Sequence, residues 1–135
     1  MWAFVTDGPS AVQFVMAVSG SLMALSHIVR PAIWVDYFSR LHEQGTRGVL
    51  TRTFTLELWP ALLIVTLHQV WSGLAIVVTI YGWLQLTKIA VAVMAPEIGL
   101  RSLAMAKRGD NAFRLGGVML LAVAASAAGA LFFGL

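Results

Sequence analysis

The sequence predicts an all-α membrane protein: four transmembrane helices in two tandem hairpins, with an amphipathic interfacial helix between spans one and two. Three observations predict it. Apolar residues make up 59% of the 135 and charged residues only 11%, under half the share of about 25% usual in a soluble domain. Four apolar runs reach the length of about 20 residues that crosses about 30 Å of hydrocarbon. All nine Lys and Arg lie around two of the three connections between those runs. The chain therefore reads as one four-span domain, residues 1–135.

The first span is expected from Ala11 to Val29, opened by DGPS and closed before Pro31. The preceding stretch, MWAFVTDGPS, has no basic start. The run also lacks the small-residue exit of a cleaved signal, so the span is expected to be retained. Next comes PAIWVDYFSRLHEQGTRG. Ile33, Trp34, Tyr37, Phe38 and Leu41 recur there at helical spacing, while Asp36, Arg40, His42 and Glu43 fall largely elsewhere on the wheel. That pattern predicts a short helix in the interface, with Trp34 and Tyr37 at head-group level and Gly45 and Gly48 ending it. The second span is expected from Thr53 to Val70. The third runs from Ser72 to Met94, closed before Pro96, and the fourth from Asn111 to the C-terminus with Asp110 or Asn111 as its cap.

Charge orients these spans. Arg30, Arg40, Arg47 and Arg52 surround the first connection, and Lys88, Arg101, Lys107, Arg108 and Arg114 surround the third. The N-terminal tail, the HQVWSG turn at 68–73 and the C-terminus carry none. Cytoplasmic loops are enriched in Lys and Arg. Both termini and the 68–73 turn are thus expected on the periplasmic side of a bacterial inner membrane, with spans two and three in a tight antiparallel hairpin. The net charge of +3 and the pI near 10.0 point to anionic lipid head groups as partners. Nucleic acid is not expected, because no basic and aromatic residues interleave on a polar surface. The chain has no cysteine, which excludes disulfides, thiolate metal sites and cysteine nucleophiles. A weak internal repeat, P-A-I at Pro31 and P-E-I at Pro96, 65 residues apart, maps span one onto span three and span two onto span four in the same orientation.

Polar residues inside spans are costly and are the first candidates for function. Tyr81, Gln85 and Lys88 share one face of span three. Glu57, Ala61, Ile64 and His68 form a similar stripe on span two. Facing stripes would pair Glu57 with Lys88, with Arg52 level with Lys88. The pair serves either as a proton or ion relay or as a neutralised structural contact, and the structural role is the expectation. His27 and His68 are candidate cofactor ligands. They belong at opposite ends of their spans, roughly 20 Å apart in depth, so one metal cannot bridge them, and neither a cofactor nor a metal is expected. His68 is expected to end span two, with Trp71 as an interfacial anchor. Gly20 and Ala24 share a small-residue face with Gln13, Ala17 and His27. Ala124 with Ala128, and Ala125 with Gly129, form small-x-x-x-small pairs on span four. Either they pack within the bundle or they meet another membrane subunit or a second copy. No catalytic constellation emerges.

His68, Trp71, Thr79, Gly82, Trp83, Lys88 and Pro96 carry a resemblance. HQVW followed by TIYGWLQLTK and a later proline resembles a family of small bacterial integral membrane proteins without assigned activity. That family's pattern has a His-Asn-x-Trp turn, then Thr-x-x-Gly-Trp-x-x-x-Lys. Gln69 and Ile89 depart from its Asn and Gly. The resemblance implies the helical membrane fold and no activity. In it, Gly82 lets a neighbouring helix approach, and His68 and Trp71 lock the turn. Three functions follow as expectations. The first is a non-enzymatic accessory or scaffold subunit. The second is a small transporter or channel using the Glu57–Lys88 face. The third is a lipid-modifying or cofactor-carrying membrane protein.

Overall fold

The structure, a computed structural model, describes residues 3–135, and those residues are helical without strands. Helix α1 (Gly8–Val29) starts where Asp7 accepts the Ser10 backbone N–H at 2.8 Å and the Ser10 hydroxyl accepts the Asp7 N–H at 3.0 Å. This reciprocal pair, with Pro9 in the first turn, satisfies donors that a helix start leaves open. It begins three residues before the predicted Ala11. Pro31 then stops α1 and opens α2 (Pro31–Glu43), and Pro96 likewise stops α5 (Ala75–Met94) and opens α6 (Pro96–Leu103). The residue before each proline is pushed out of the helical region. Arg30 has φ −128° and ψ 54°, and Ala95 has φ −134° and ψ 78°. The same kink thus recurs at the two prolines of the repeat.

Gly45, at φ 62°, ends α2. Gly48 does not; it lies inside α3 (Thr46–Arg52), where a Cβ would run into the Leu41 carbonyl. α3 continues through a π-helical turn (Thr53–Glu57) into α4 (Leu58–Leu67), making one helix over Thr46–Leu67. The second span is therefore shifted seven residues toward the N-terminus of its predicted start. It stops at His68, whose φ of −128° and ψ of 84° leave the helix. The third helix starts at Ala75 rather than Ser72. After α6 a 3₁₀ turn (Ala104–Arg108) leads to α7 (Asp110–Phe133). Gly109 is the N-cap of α7, with φ 77°, and Asp110 sits in its first turn. Four helices, at Gly8–Val29, Thr46–Leu67, Ala75–Met94 and Asp110–Phe133, are long and apolar enough to cross a membrane. This is a multi-pass membrane protein by length and composition.

Close packing does not follow two sequential hairpins. The most extensive contact joins α1 to α7, and the next joins α4 to α5. Each pair takes one helix from each half of the repeat. Small residues explain the choice. A Cβ on Gly20 would lie 3.1 Å from Ala124 Cβ, and Ala24 is fully buried where α7 passes at Gly117. On the other pair, a Cβ on Gly82 would lie 2.6 Å from Ile64 Cβ. Of the predicted small-residue pairs on span four, Ala124 and Gly129 are buried, Ala128 is half-buried and Ala125 faces outward. The buried stripe of α7 is Phe113, Gly117, Ala124, Ala127 and Gly129.

The two pairs converge at one end on Val12, Met16, Ile64, Val78 and Ala127. There Leu74 N–H donates to the Leu135 carbonyl at 3.0 Å, and Phe4 packs on Phe132. All nine Lys and Arg belong to the opposite end. A second apolar cluster of Leu41, Val49, Ala92 and Leu103 closes that end, with Tyr37, Phe38 and Leu100 against it. The aromatic side of α2 is turned onto the protein. Trp34 stacks on His27 with ring centres 4.2 Å apart and donates to Ser26 Oγ at 2.7 Å. The indole N–H thus has its partner on α1.

Candidate functional site: a polar cleft at the basic end

Pro60 is the local origin of the site. It lacks the N–H that would bond the Leu56 carbonyl, and its ring crowds that carbonyl. One turn earlier the helix widens, and Leu58 N–H bonds Thr53 O, five residues back. In a regular α-helix, residues five apart lie about 140° apart around the axis. The π turn brings Arg52 and Glu57 onto one side, a use to which such turns are often put at functional sites.

Arg52 Nε lies 3.2 Å from Glu57 Oε1, as an ion pair whose N–H does not point along the contact. Arg52 is 1% exposed, and its Nη1 donates to Ser102 Oγ at 3.0 Å. Lys88 Nζ donates to the same Glu57 oxygen at 2.9 Å, from a side chain 44% exposed. The expected Glu57–Lys88 pair is present, and the buried partner of Glu57 is Arg52. Two cations on one carboxylate leave the group with one surplus positive charge. Several atoms here have no hydrogen-bond partner among the described residues: Arg52 Nη2, Thr53 Oγ1, Glu57 Oε2 and Gln85 Oε1. Buried polar atoms are nearly always satisfied, so four orphans in one place need an explanation.

Two cavities adjoin three of these residues, Glu57 and Gln85 lining both and Arg52 one, while Thr53 lines neither. One, of about 180 Å³, lies among α1, α2, α4 and α5, with Met23, Trp34, Trp59 and Pro60 in its wall. The other, of about 520 Å³, reaches from Arg52 and Ser102 to Lys88 and the α5–α7 gap. His27, Phe38, Glu57, Tyr81, Gln85 and Leu120 line both. The basic end of the bundle is thus a cleft between the two helix pairs. His27 Nδ1 sits 2.8 Å from the Met23 carbonyl, which can only accept, so Nδ1 carries the proton and Nε2 is the nitrogen left over. Residues in the mouth of the larger cavity are exposed and apolar: Ile80 43%, Leu84 65% and Met119 65%.

His68 belongs to a different constellation at the far end. It is fully buried. Thr79 Oγ1 donates to the Val70 carbonyl at 2.7 Å and therefore accepts from His68 Nδ1 at 2.9 Å. His68 Nε2 is then the acceptor for Gln13 Nε2 at 3.1 Å. Both ring nitrogens are occupied, and the turn after α4 is tied to α5 and α1 at once. Trp71 takes no part and is 58% exposed; Trp83 donates instead to Gln69 Oε1 at 3.4 Å.

The structure brings Arg52, Glu57, Tyr81, Gln85, Lys88 and His27 to one cleft, and it separates them from His68 and Trp71. Sequence reasoning missed Ser102 as a partner of Arg52, Gln13 as a partner of His68, and the π turn. Pro60, a proline inside a span, was the signal for the last. Compared with known protein families, characterised proteins and solved structures, the chain shows no significant match.

Proposed function

We propose that the chain is a non-enzymatic accessory subunit of the bacterial cytoplasmic membrane that holds a membrane-dissolved ligand in the cleft at its basic end. One observation carries this reading: Arg52 Nη2, Glu57 Oε2 and Gln85 Oε1 are unpartnered beside cavities walled by apolar and aromatic side chains. Ligand sites have that composition, a mostly apolar concavity with a few convergent polar groups. Glu57 shares one oxygen between two cations, which suits charge neutralisation better than acid–base work. In this reading the basic end faces the cytoplasm and α2 lies along the interface. The chain crosses the bilayer four times in this reading, with α1 packed on α7 and α4 on α5. The outward Ala125 side of α7 is where another membrane subunit or a second copy would pack. Isolation in native lipid discs, followed by identification of co-isolated molecules, tests the proposal. Protein that comes away with no retained ligand and no partner would sink it.

The repeated proline kink supports a second reading, transport, since parallel repeats are a common transporter plan. The apolar cluster of Val12, Met16, Ile64, Val78 and Ala127 closes the outer half, so transport requires a second conformation. Solute flux into liposomes that drops with Gln85→Leu would favour this reading over the first.

A further inference from the structure

We infer that the cleft takes the head group of a hydroxyl-bearing anionic phospholipid, of the phosphatidylglycerol class, entering sideways between α5 and α7. The inference rests on the reading of the cleft as a ligand site and names its ligand.

Three features select this chemistry. First, the orphaned atoms are of both kinds. Arg52 Nη2 is a donor, while Glu57 Oε2 and Gln85 Oε1 are acceptors. A ligand that satisfies them must accept and donate within one compact head, as a phosphodiester beside free hydroxyls does. Second, Arg52 and Lys88 outnumber Glu57, so a single negative charge completes the balance. Phosphatidylethanolamine also donates and accepts, but it brings a further cation to a group already one cation in surplus. Phosphatidic acid brings a second negative charge when fully ionised, and when singly ionised keeps one P–OH to donate where Glu57 and Gln85 offer two acceptors. Third, the way in is apolar. Ile80 and Leu84 on α5 and Met119 and Val123 on α7 border the larger cavity, and Lys88 stands half-exposed beside them. Acyl chains can rest on that border while the head lies against the wall that Arg52, Glu57 and Gln85 form. Phe38, Met105 and Phe113 complete its apolar lining. The volume of about 520 Å³ falls within the usual range for bound small groups, about 300–1,000 Å³.

The test uses the full chain in lipid discs containing equal amounts of phosphatidylglycerol, phosphatidylethanolamine and phosphatidic acid, with native mass spectrometry reading the lipid retained. Phosphatidylglycerol is expected to be retained about tenfold over either competitor, the worth of one hydrogen bond to a charged group. Gln85→Leu should abolish the preference over phosphatidic acid, and Lys88→Met the preference over phosphatidylethanolamine. Retention of either competitor at or above the phosphatidylglycerol level in the unaltered chain overturns the inference, whether or not the variants fold. Release of bound lipid by inorganic phosphate overturns it too, because a free anion would then be the ligand. A variant carrying Leu120→Trp as its sole tryptophan, in the wall of the larger cavity, separates this failure from failure of the site itself. Quenching of that tryptophan by bromine-labelled acyl chains, equal for all three heads, leaves a lipid cleft without head selectivity. No quenching by any of them removes the lipid site altogether.

Discussion

Lys88 reaches Glu57 across 2.9 Å, yet it is the dispensable partner, because Arg52, buried to 1% exposure, contacts the same carboxylate oxygen at 3.2 Å. Removing the carboxylate strands a buried guanidinium that has no second carboxylate beside it among the described residues. Removing the lysine leaves a neutral pair.

Glu57→Gln should therefore destabilise the protein by about 3–5 kcal/mol, the usual result of breaking a buried pair from one side. Lys88→Met should cost about 1 kcal/mol or less, as for other half-exposed ion pairs. Unfolding in mild detergent, followed by loss of helical signal, measures both. Equal losses would show that Lys88, not Arg52, carries the neutralisation.

Gly82 is where α4 and α5 touch. A methyl there would press on Ile64, so Gly82→Ala should cost about 1–3 kcal/mol through overpacking. Adding Ile64→Val should recover part of that loss. Gly116, with nothing within 4 Å of a Cβ, is the control: Gly116→Ala should be neutral or slightly stabilising, since alanine suits a helix better.

Each link of the Gln13–His68–Thr79 chain donates in the same direction, ending on the Val70 carbonyl, so its members should act as a unit. Gln13→Leu and Thr79→Val are expected to be non-additive by about 0.5–3 kcal/mol in a double-mutant cycle. Strict additivity would reduce the chain to two unrelated contacts.

The same histidine sets a pH response. His68 lies in the turn between α4 and α5, and burial holds its imidazole below the ordinary value of 6.5 against smaller opposing pulls from its own backbone and from Asp7. The unfolded chain therefore binds a proton that the folded one refuses. Stability from this group is full above 6.5 and falls as pH drops from there toward the depressed folded value. A melting temperature that declines below pH 6.5, and less so in His68→Gln, is the expected result. Identical profiles for the two proteins would assign the decline elsewhere.

Orientation is open to a direct check. A reporter that works only outside the cytoplasm should be active when fused after Leu135 and silent when inserted at Gly109. The reverse pattern would invert the protein in the membrane and move the cleft to the other leaflet.

Much of the cleft was legible because a charge inside an apolar run is conspicuous: Glu57, Gln85 and Lys88 could be singled out by composition alone. Their rank could not. Sequence places Arg52 five residues before Glu57, which on a regular helix points it elsewhere, and only the π turn before Pro60 brings the two together. Ser102 carried no signal, being one serine in a basic segment.

Four helices of membrane length, with every basic residue at one end of them, can be read from the chain alone. Span length and the cost of moving charge into hydrocarbon depend on the chain locally, residue by residue. Which helices pair, which cation is buried and where the cleft lies emerge in the packed protein. Those outcomes depend on how closely backbones approach at Gly20–Ala124 and Gly82–Ile64. Helical periodicity shows which face a residue occupies and not which helix that face will meet.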